Sequence, residues 1–429
     1  MLVIRSARVM DPETNLDEVM DVMIAEDGTI AEMGKGLAES VDPEQVQMVE
    51  AAGKILAPGF VDVHVHFRDP GLTYKEDIVT GAAAAAAGGY TTVVCMANTK
   101  PTIDCVEVFE EVAMREQKLP IHVLQAANVT MGMQGKTLTD MKALHRAGAV
   151  GFTDDGVPVM DEKLFTEALR VCKELDVPIS VHEEDPKYIC SAGVNQGAVS
   201  EQLGLGGASA EAETAMVKRD IALNETIGAK LDIQHISSAE TVKLLRDAKA
   251  RGIRVYGEVT PQHLAATEEL VLERGALARV NPPLRTEADR KALLRGLADG
   301  TIDMIATDHA PHSAEEKARP IAEAPSGMIG LETALGLVMT YAVRSKEAEL
   351  MQVLRALTCN PAKLYGLEAG RIQTGKSADL VLFDPECKWT VPQTFASKAT
   401  NSPFIGMELY GKVCMTICNG QIVYQEGEK

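Results

Sequence analysis

The stretch FVDVHVHFRDPG, residues 60–71, alternates apolar and polar side chains until Pro70 and Gly71 interrupt it. Its even positions from 62 to 68 carry Asp, His, His and Arg, whereas its odd positions from 61 to 67 carry Val, Val, Val and Phe. This period of two predicts a β-strand. The second face of an ordinary half-buried strand carries assorted polar residues, but here it carries two imidazoles and a guanidinium. The stretch therefore predicts a strand that ends in a chemical site.

Seven further apolar runs that end in polar residues follow this one, with helix-like segments between them. They are TTVVCMAN (91–98), IHVLQAAN (121–128), AVGFTDD (149–155), PISVHEED (178–185), KLDIQHIS (230–237), IRVYGEVTP (253–261) and IDMIATDHAP (302–311). Strands that alternate with helices imply right-handed parallel crossovers, and eight units over roughly 250 residues fit an α/β fold, the (β/α)₈ TIM-like barrel. A doubly wound open sheet is the main alternative, but no GxGxxG motif follows any of these strands.

The two ends of the chain differ from this middle part, because they are rich in β-type alternation and turn signals. We expect residues 1–54 and 366–429 to form one small β-sandwich-like domain beside the barrel of residues 55–365. Within these ends, AEDGTI and CNGQIVY are typical of tight hairpins. The charged loop 313–325 follows the eighth strand and is either a lid or a solvated connection, the commoner case for charged loops.

Charge and composition exclude several classes of partner. The chain has 42 Lys and Arg against 62 Asp and Glu, a net charge of −20, whereas nucleic-acid binding needs a basic face. The N-terminus lacks the apolar core of a secretion signal, and no apolar run approaches the roughly 18–20 residues of a membrane span. The eight cysteines show no CxxC spacing. We therefore expect a reduced, cytoplasmic protein that binds neither nucleic acid nor a membrane.

Polar residues at the strand ends are the candidates for chemistry. In (β/α)₈ enzymes the working residues lie at the C-terminal ends of the barrel strands. Five of the nine histidines fall at such ends, a concentration that chance scatter would not produce. The residues that this rule selects are His64, His66, Asn98, Asp154, Asp155, His182, His235, Asp308 and His312.

The first pair of histidines has the spacing of metal ligands. His64 and His66 share one strand face, with Cα atoms about 6.5–7 Å apart, so both imidazoles can bind one cation. His182 and His235 can supply a second cation, and a carboxylate can bridge the two. Nitrogen and oxygen ligands without thiolates suit Zn²⁺ best, and Mn²⁺ or Co²⁺ can replace it. Two such ions would polarise a carbonyl and generate hydroxide near neutral pH.

Other polar residues of these strands are expected to be structural. Asp62 lies deeper on the same face, and we interpret it as a buried hydrogen-bonding residue. His309 neighbours Asp308 and should point away from the site. His122 begins a strand and His145 lies in a helix-like segment. The role of His263 is either to support the site or to anchor a loop, and the sequence leaves both open.

The motifs as a set resemble the amidohydrolase superfamily, and within it the long bacterial dihydroorotases. The resemblance covers nearly the whole chain through PGFVDVHVHFRDPG, CMANTKP, GFTDDG, VHEED, QHIS, VNPPLR, ATDHAPH and GKSADLVLFD. It implies a barrel with a small composite β-domain. It also implies the reversible cyclisation of N-carbamoyl-L-aspartate to L-dihydroorotate, a step of pyrimidine (UMP) synthesis.

The resemblance assigns the metal ligands by position. It implies one metal at His64, His66 and Asp308, and a second at His182 and His235.

The resemblance implies that Asp155 is the carboxylate that bridges the two metals. Many superfamily members use a carboxylated lysine at the end of strand 4, but the nearest lysines, Lys142 and Lys163, lie outside that strand. Asp154 stays the alternative, because alternation does not decide which way a residue faces at a strand end.

Further residues match the family's substrate contacts. Arg68, Asn98 and His312 match residues that hold the free carboxylate, and guanidinium can bind a carboxylate through two hydrogen bonds. Asn281 and the Ser326–Gly327 segment match groups that contact the ring. The structural alternatives are an ion pair between Arg68 and its neighbour Asp69, an ordinary Pro-stiffened loop and a Gly turn.

The chemistry we expect is metal-assisted hydrolysis of a cyclic amide. Hydroxide generated at the site attacks the ring carbonyl, and Asp308 accepts its proton and delivers it to the leaving ring nitrogen.

Two alternatives remain open, a hydantoinase or allantoinase and a catalytically silent scaffold homologue. FTDDG, HFRDPG and the complete ligand set argue against them. The resemblance further implies a homodimer and leaves association with aspartate carbamoyltransferase open.

Overall fold

The computed structural model describes residues 1–39, 41–42 and 45–427. Its strands are β1 (Leu2–Asp11), β2 (Leu16–Ile24), β3 (Ile30–Gly34), β4 (Gln47–Glu50), β5 (Ile55–Pro58), β6 (Phe60–Val65), β7 (Tyr90–Cys95), β8 (His122–Gln125), β9 (Pro178–Val181), β10 (Lys230–Ile233), β11 (Val255–Val259), β12 (Met304–Ile305), β13 (Leu380–Thr390), β14 (Glu408–Cys418) and β15 (Gln421–Gln425).

Helices separate most of the strands in the middle of the chain. The α-helices are α1 (Ile78–Ala87), α2 (Val106–Glu116), α3 (Met141–Ala147), α4 (Glu162–Leu175), α5 (Ala198–Gln202), α6 (Ala210–Ile227), α7 (Ala239–Ala250), α8 (Pro261–Ala265), α9 (Leu270–Arg274), α10 (Glu287–Ala298), α11 (Ala314–Lys317), α12 (Ala334–Val338), α13 (Leu350–Leu357) and α14 (Cys359–Tyr365). Shorter 3₁₀ turns span Leu37–Glu39, Met131–Met133, Pro186–Tyr188 and Gly275–Ala278, and a π-helical turn spans Met339–Val343.

The middle strands close into a ring. Strands β6, β7 and β8 pair in parallel, as do β9, β10, β11 and β12. Phe152 forms parallel bridges to Ala127 and Ile179, which join the two sheets on one side. On the other side Val65 forms a parallel bridge to His309. The prediction of a (β/α)₈ barrel is confirmed.

The fourth barrel strand is the least regular. The run 149–155 has no ladder of its own beyond the bridges of Phe152. Its backbone still donates to both neighbouring strands, from Val150 to Gln125 at 3.2 Å, from Phe152 to Pro178 at 3.1 Å and from Thr153 to Ala127 at 2.9 Å. This run therefore occupies the fourth strand position that the sequence predicts.

Local sequence explains where the helices begin. Asp77 caps α1 by accepting hydrogen bonds from the backbone N–H groups of Val79 and Thr80, and the alanine-rich body of α1 packs closely against the barrel. Asp161 caps α4 in the same way. The side chain of the N-cap residue, which directly precedes the helix, satisfies backbone N–H groups that have no partner within the helix. Both helices lie where the sequence predicts them.

The two ends of the chain share one sheet. Its strand order is β15-β14-β13-β5-β1-β2-β3, and β4 pairs with β1. Both predicted hairpins form, between β2 and β3 and between β14 and β15. The sheet includes β5, which begins at the predicted start of the barrel segment. The division into 1–54 plus 366–429 and 55–365 stays a prediction, and its residues 40, 43–44 and 428–429 lie outside the described residues.

The loop 313–325 is only partly solvated. It contains α11, in which Glu316 pairs with Lys75 at 2.9 Å. Lys317 is 6% exposed and its Nζ donates to the carbonyl groups of Pro325 and Gly327 at 2.9 and 2.8 Å. Ala314 and Glu315 of α11 are exposed, as is most of the remaining loop, so the solvated connection and the lid both stay predictions.

Two expectations from composition can be compared with the structure. In the described ranges no helix is long and apolar enough to cross a membrane. The eight cysteines are free, and four of them are buried.

Candidate active site

The C-terminal ends of the barrel strands surround one cavity of about 200 Å³. Its wall is formed by His66, Arg68, Asn98, Asp155, Gly156, His182, His235, Asn281, Asp308, Ala310, His312, Ser326 and Gly327. His64 is fully buried beneath this wall, with its Nε2 3.6 Å from one carboxylate oxygen of Asp155 and 3.6 Å from one of Asp308. The structure thus brings together every residue that the sequence selects for the metal and substrate sites, except Asp154.

Asp155 lies at the centre of the imidazoles. Its Oδ2 is 3.3 Å from Nε2 of His66. Its Oδ1 is 3.6 Å from Nδ1 of His182 and 3.7 Å from Nε2 of His235. Burial alone raises the pKa of Asp155, but the surrounding imidazoles outweigh burial and hold that pKa well below its usual value. The centre of the site therefore carries a buried negative charge.

Two groups of three ligand atoms are close enough to hold a cation. His64, His66 and Asp308 form the first group, in which Asp308 Oδ1 lies 3.1 Å from His66 Nε2. His64, Asp155 and His235 form the second. Within each group the ligand atoms lie within 4.8 Å of one another. The two groups share His64, so the site is continuous.

Backbone geometry aims residues that follow three of the barrel strands into the cavity. Arg68, His235 and Asp308 adopt φ values of 59°, 34° and 48°. The left-handed region is costly for residues with a Cβ, and such residues concentrate at functional sites. The change of direction at each strand end turns these side chains toward the cavity.

Groups behind the imidazoles determine which ring nitrogen faces the cavity. Oε2 of Glu258 lies 3.0 Å from Nδ1 of His64, and Oε2 of Glu184 lies 2.9 Å from Nε2 of His182. A carboxylate only accepts hydrogen bonds, so each of these nitrogens carries the hydrogen. Burial lowers the pKa of both rings, but without a cation the facing carboxylates outweigh burial and raise that pKa, for His182 to about 10. When a cation replaces the proton, the other nitrogen, Nε2 of His64 and Nδ1 of His182, offers its lone pair. This is the arrangement in which histidine binds metal.

The sequence patterns did not predict that Glu184 and Glu258 support the site, although each lies in a recognisable position. Glu184 follows His182 by two residues in VHEED, the same spacing as the first histidine pair. Glu258 lies in the seventh apolar run, which contributed no residue to the predicted site.

The donor set fits a divalent metal ion. Nε2 of His64 and Oδ1 of Asp155 are buried and have no hydrogen-bond partner among the described residues. Nδ1 of His182 lies 2.8 Å from Nε2 of His235, so either a hydrogen carried by one of the two rings or a cation lies between these nitrogens. Imidazole and carboxylate donors, without a thiolate, suit zinc and related ions.

Asp154 points away from the cavity. Its Oδ1 accepts hydrogen bonds from Asn128 Nδ2 and from the backbone N–H groups of Val129 and Thr130, at 3.2, 2.9 and 3.2 Å. Its Oδ2 accepts from the Thr130 hydroxyl. These bonds anchor the loop after β8, so the geometry supports Asp155 over Asp154 as the bridging residue.

The remaining polar residues have structural partners. Asp62 accepts hydrogen bonds from the backbone of His64 and Thr307. The histidines 309, 263, 122 and 145 interact with Glu76, the Pro282 carbonyl, Asp379 and the Ala149 carbonyl, respectively. For His263, which the sequence left open, these contacts favour loop anchoring.

Arg68 presents a cationic group to the cavity. Its Nε donates to the Pro311 carbonyl at 3.2 Å, and it forms no ion pair within the described part of the chain. The structural alternative, an Arg68–Asp69 pair, is wrong, because Asp69 pairs with Arg115 at 2.7 Å. The guanidinium therefore remains available for an anionic ligand.

His312 lies beside Arg68 as a neutral imidazole. Burial and the positive charges of Arg68 and Lys75 lower the pKa of His312 to about 3. Nζ of Lys75 lies 3.2 Å from Nδ1 of His312 and can only donate, so Nδ1 accepts. Nε2 then carries the hydrogen, and it lies 2.9 Å from the carbonyl of Ser326. His312 thus directs an N–H group to the edge of the cavity.

The cavity wall next to His312 is formed by backbone and amide groups. The Ser326 hydroxyl donates to Oδ1 of Asn281 at 3.0 Å. Gly327 has a φ of 123°, and a Cβ there would lie 2.7 Å from Cβ of Ala310 and 3.2 Å from Nε2 of His312. A glycine is therefore required for this close approach.

Asn98 lines the cavity but is already engaged. Its Oδ1 lies 3.0 Å from Nδ1 of His66, and its Nδ2 lies 3.2 Å from Oδ2 of Asp155. In this geometry Asn98 orients two of the predicted metal ligands. Its contact with the substrate carboxylate stays a prediction.

The chain is similar to known proteins over nearly its whole length. Residues 55–423 match the model of the amidohydrolase family. A dihydroorotase of Clostridioides difficile (strain 630) is 53% identical over 99% of this chain and 100% of its own length. A dihydroorotase of Streptococcus pneumoniae serotype 4 is 49% identical over the same shares.

Among solved structures, an L-hydantoinase (dihydropyrimidinase) from Arthrobacter aurescens superposes with a TM-score of 0.88. It is 25% identical, and the match covers 100% of this chain and 96% of that one. A dihydropyrimidinase from Brevibacillus agri NCHU1002, at 24% identity and a TM-score of 0.84, shows the same fold over 99% of this chain and 95% of its own. The chain therefore belongs to the amidohydrolase family and, within it, to the dihydroorotases, which are metal-dependent cyclic amidohydrolases.

Proposed function

We propose that this chain catalyses the reversible cyclisation of N-carbamoyl-L-aspartate to L-dihydroorotate in pyrimidine (UMP) synthesis. In the hydrolytic direction, water adds to a ring amide carbonyl and the bond from that carbon to the ring nitrogen breaks. Relatives with 49–53% identity over nearly the full chain, all named dihydroorotase, support this reaction.

One observation carries the proposal: a group of potential metal ligands and a cationic group line the same cavity. Asp155 and its imidazoles form the first, and Arg68 with the neutral His312 forms the second. Dihydroorotate needs both groups, because it has a cyclic amide to be opened and a free carboxylate to be held. Hydantoin has the cyclic amide without the carboxylate.

The residues that would hold two metal ions are His64, His66, Asp155, His182, His235 and Asp308. Zn²⁺ is the ion that this donor set favours, with Mn²⁺ or Co²⁺ as substitutes. When bound, the ions supply Lewis acidity, which polarises the amide carbonyl and lowers the pKa of water. Asp155 is the proposed bridge, since its two oxygens face different imidazoles.

Asp308 is the proposed catalytic residue. Its carboxylate lies in the cavity wall, and Oδ1 is 3.1 Å from His66 Nε2. Its backbone φ of 48° aims the side chain at the reaction centre. In hydrolysis Asp308 accepts a proton from the attacking water and transfers it to the leaving ring nitrogen, and in cyclisation both transfers run in reverse.

The substrate is oriented by other groups that line the cavity. Arg68 binds the free carboxylate through its planar fork, and His312 turns its Nε2–H from the Ser326 carbonyl to the same anion when the substrate binds. Asn98 is the third proposed contact of this carboxylate. Asn281 and the Ser326–Gly327 segment contact the ring, since their polar groups form the adjoining wall.

The compartment, the oligomeric state and the partner enzyme are proposed from the family alone. We propose a cytoplasmic homodimer, with association with aspartate carbamoyltransferase as a further step. Mass photometry of the purified chain, alone and mixed with that enzyme, tests both.

Substrate identity is tested by assaying dihydroorotate, hydantoin and allantoin side by side. We expect turnover of dihydroorotate to exceed that of the other two. Faster turnover of hydantoin or allantoin would make the chain a hydantoinase- or allantoinase-type enzyme. Absence of turnover of all three by metal-loaded protein would support the scaffold alternative.

A further inference from the structure

A second group of potential metal ligands lies outside the active site. It consists of His122 at the start of β8, Asp379 just before β13 and Cys418 at the end of β14. Nε2 of His122 lies 3.1 Å from Oδ2 of Asp379, and the ligand atoms of all three residues lie within 4.8 Å of one another. The group shares no residue with the active site and joins a barrel strand to the terminal sheet.

The spacing of the donors is close to what a tetrahedral ion needs. Metal–nitrogen and metal–oxygen distances of about 2.0–2.2 Å and a metal–sulfur distance of about 2.3 Å place neighbouring ligand atoms roughly 3.3–3.7 Å apart. The 3.1 Å between His122 Nε2 and Asp379 Oδ2, and the limit of 4.8 Å that holds for all three ligand atoms, bracket these values. Imidazole, carboxylate and thiolate together are typical ligands of Zn²⁺ and Co²⁺.

The surroundings of the carboxylate leave one oxygen directed at the group. Oδ1 of Asp379 accepts hydrogen bonds from the backbone N–H of Asn419 at 2.7 Å and from the Ser377 hydroxyl at 3.0 Å. Oδ2 faces His122. Asp379 is therefore oriented before any ion binds, as ligands of metal sites usually are.

The group is also accessible to an ion. The His122 side chain is 37% exposed, and it lines a neighbouring cavity of about 320 Å³ together with Asn419 and Glu116. Oε1 of Glu116 is buried and has no hydrogen-bond partner in the described part of the chain. An ion can thus approach the group from this cavity at His122, and the carboxyl group of Glu116 lies on the wall of the same cavity.

We propose that His122, Asp379 and Cys418 form a second, peripheral metal site that binds a transition-metal dication, Zn²⁺ or Co²⁺. The bound ion ties the start of β8 to the terminal sheet. Burial raises the pKa of the Cys418 thiol, so the thiol stays protonated without metal. Coordination removes that proton.

Cobalt(II) distinguishes this site from the active site, because only this site contains sulfur. We would add Co²⁺ to the full-length protein as purified and record the near-ultraviolet absorption that transfer of charge from sulfur to cobalt produces. We expect this absorption in the wild type and its displacement by Zn²⁺. Cys418→Ser should abolish it, whereas Cys190→Ser, at an exposed cysteine, should retain it.

A second variant covers the case in which Cys418→Ser does not fold. His122→Gln changes a part-exposed ligand and leaves the thiol in place, so it should weaken cobalt binding to this site. Three results would overturn the proposal: no sulfur-to-cobalt absorption in the wild type, undiminished absorption in folded Cys418→Ser, or unchanged cobalt affinity in His122→Gln.

Discussion

Nδ1 of His64, at the end of β6, lies 3.0 Å from Oε2 of Glu258 in β11, although the two residues are 194 positions apart in the chain. Both side chains are almost completely buried. The carboxylate of Glu258 holds His64 in the tautomer whose Nε2 faces Asp155 and Asp308. Glu258 therefore prepares a metal ligand without itself facing the cavity.

Glu258→Gln tests this support. The amide is nearly the same size but is a weaker partner for an imidazole N–H, so we expect the affinity for metal to fall by about 10- to 100-fold. The measurement is metal retained after dialysis against a graded series of chelator concentrations. Glu107→Gln, at an exposed position of α2, is the matched control. Equal retention by the two variants would show that Glu258 does not support the site.

Asp308→Asn tests the proton transfer. Asparagine can still offer an oxygen to a metal ion but cannot take up the proton, so kcat should fall by about 10²- to 10⁴-fold. Much of the metal should remain bound. The measurements are kcat and metal content per subunit, with Asp247→Asn, at an exposed site of α7, as control. Retained turnover would remove Asp308 from the proton-transfer role.

Substrate recognition is tested at Arg68. Loss of a charge-assisted hydrogen bond in Arg68→Ala should raise KM for dihydroorotate by about 10- to 100-fold. Arg68→Lys keeps the charge but loses the planar fork, so its KM should lie between those of the wild type and the alanine variant. Steady-state kinetics of the three proteins provide the comparison. An unchanged KM in Arg68→Ala would contradict the carboxylate assignment.

The buried Lys317 predicts a pH dependence of stability. Burial, with a contribution from the charge of Arg279, lowers the pKa of Lys317 to about 7 in the folded protein, against 10.5 for an unperturbed lysine. Between these two values the unfolded chain binds more protons than the folded one. Stability therefore rises with pH across this window, by up to about 1.4 kcal/mol per pH unit.

Lys317→Met should remove this contribution. Between pH 7 and pH 9 we expect the unfolding free energy of the wild type to rise relative to that of the variant. Urea unfolding of both proteins measures this. Lys243→Met, at a lysine that is 65% exposed, should show no such trend. Parallel curves for wild type and Lys317→Met would contradict the shifted pKa.

Much of the fold followed from periodicity. The alternation around His64 and His66 and the repeated strand-like runs are local properties, and they were sufficient to predict the barrel and the strand ends that carry the site. The fourth strand shows what periodicity alone does not predict. Its alternation is weak, and its position depends on hydrogen bonds that Val150, Phe152 and Thr153 make to other strands.

The parts of the site that escaped prediction depend on tertiary contacts. Which of Asp154 and Asp155 faces the cavity depends on the loop after β8, where Thr130 binds Asp154. The partner of His64 is Glu258, which no local pattern connects to it. The neutral state of His312 arises from burial and from the charges of Arg68 and Lys75, and these act together only in the folded chain.

The most direct test of the account is the dependence of turnover on bound metal. Metal is removed with a chelator, Zn²⁺ is returned in steps, and the rate of dihydroorotate hydrolysis is measured against the number of ions bound per subunit. We predict loss of activity on removal and recovery that follows occupancy of the site around Asp155. Full activity in protein freed of metal would contradict the central claim.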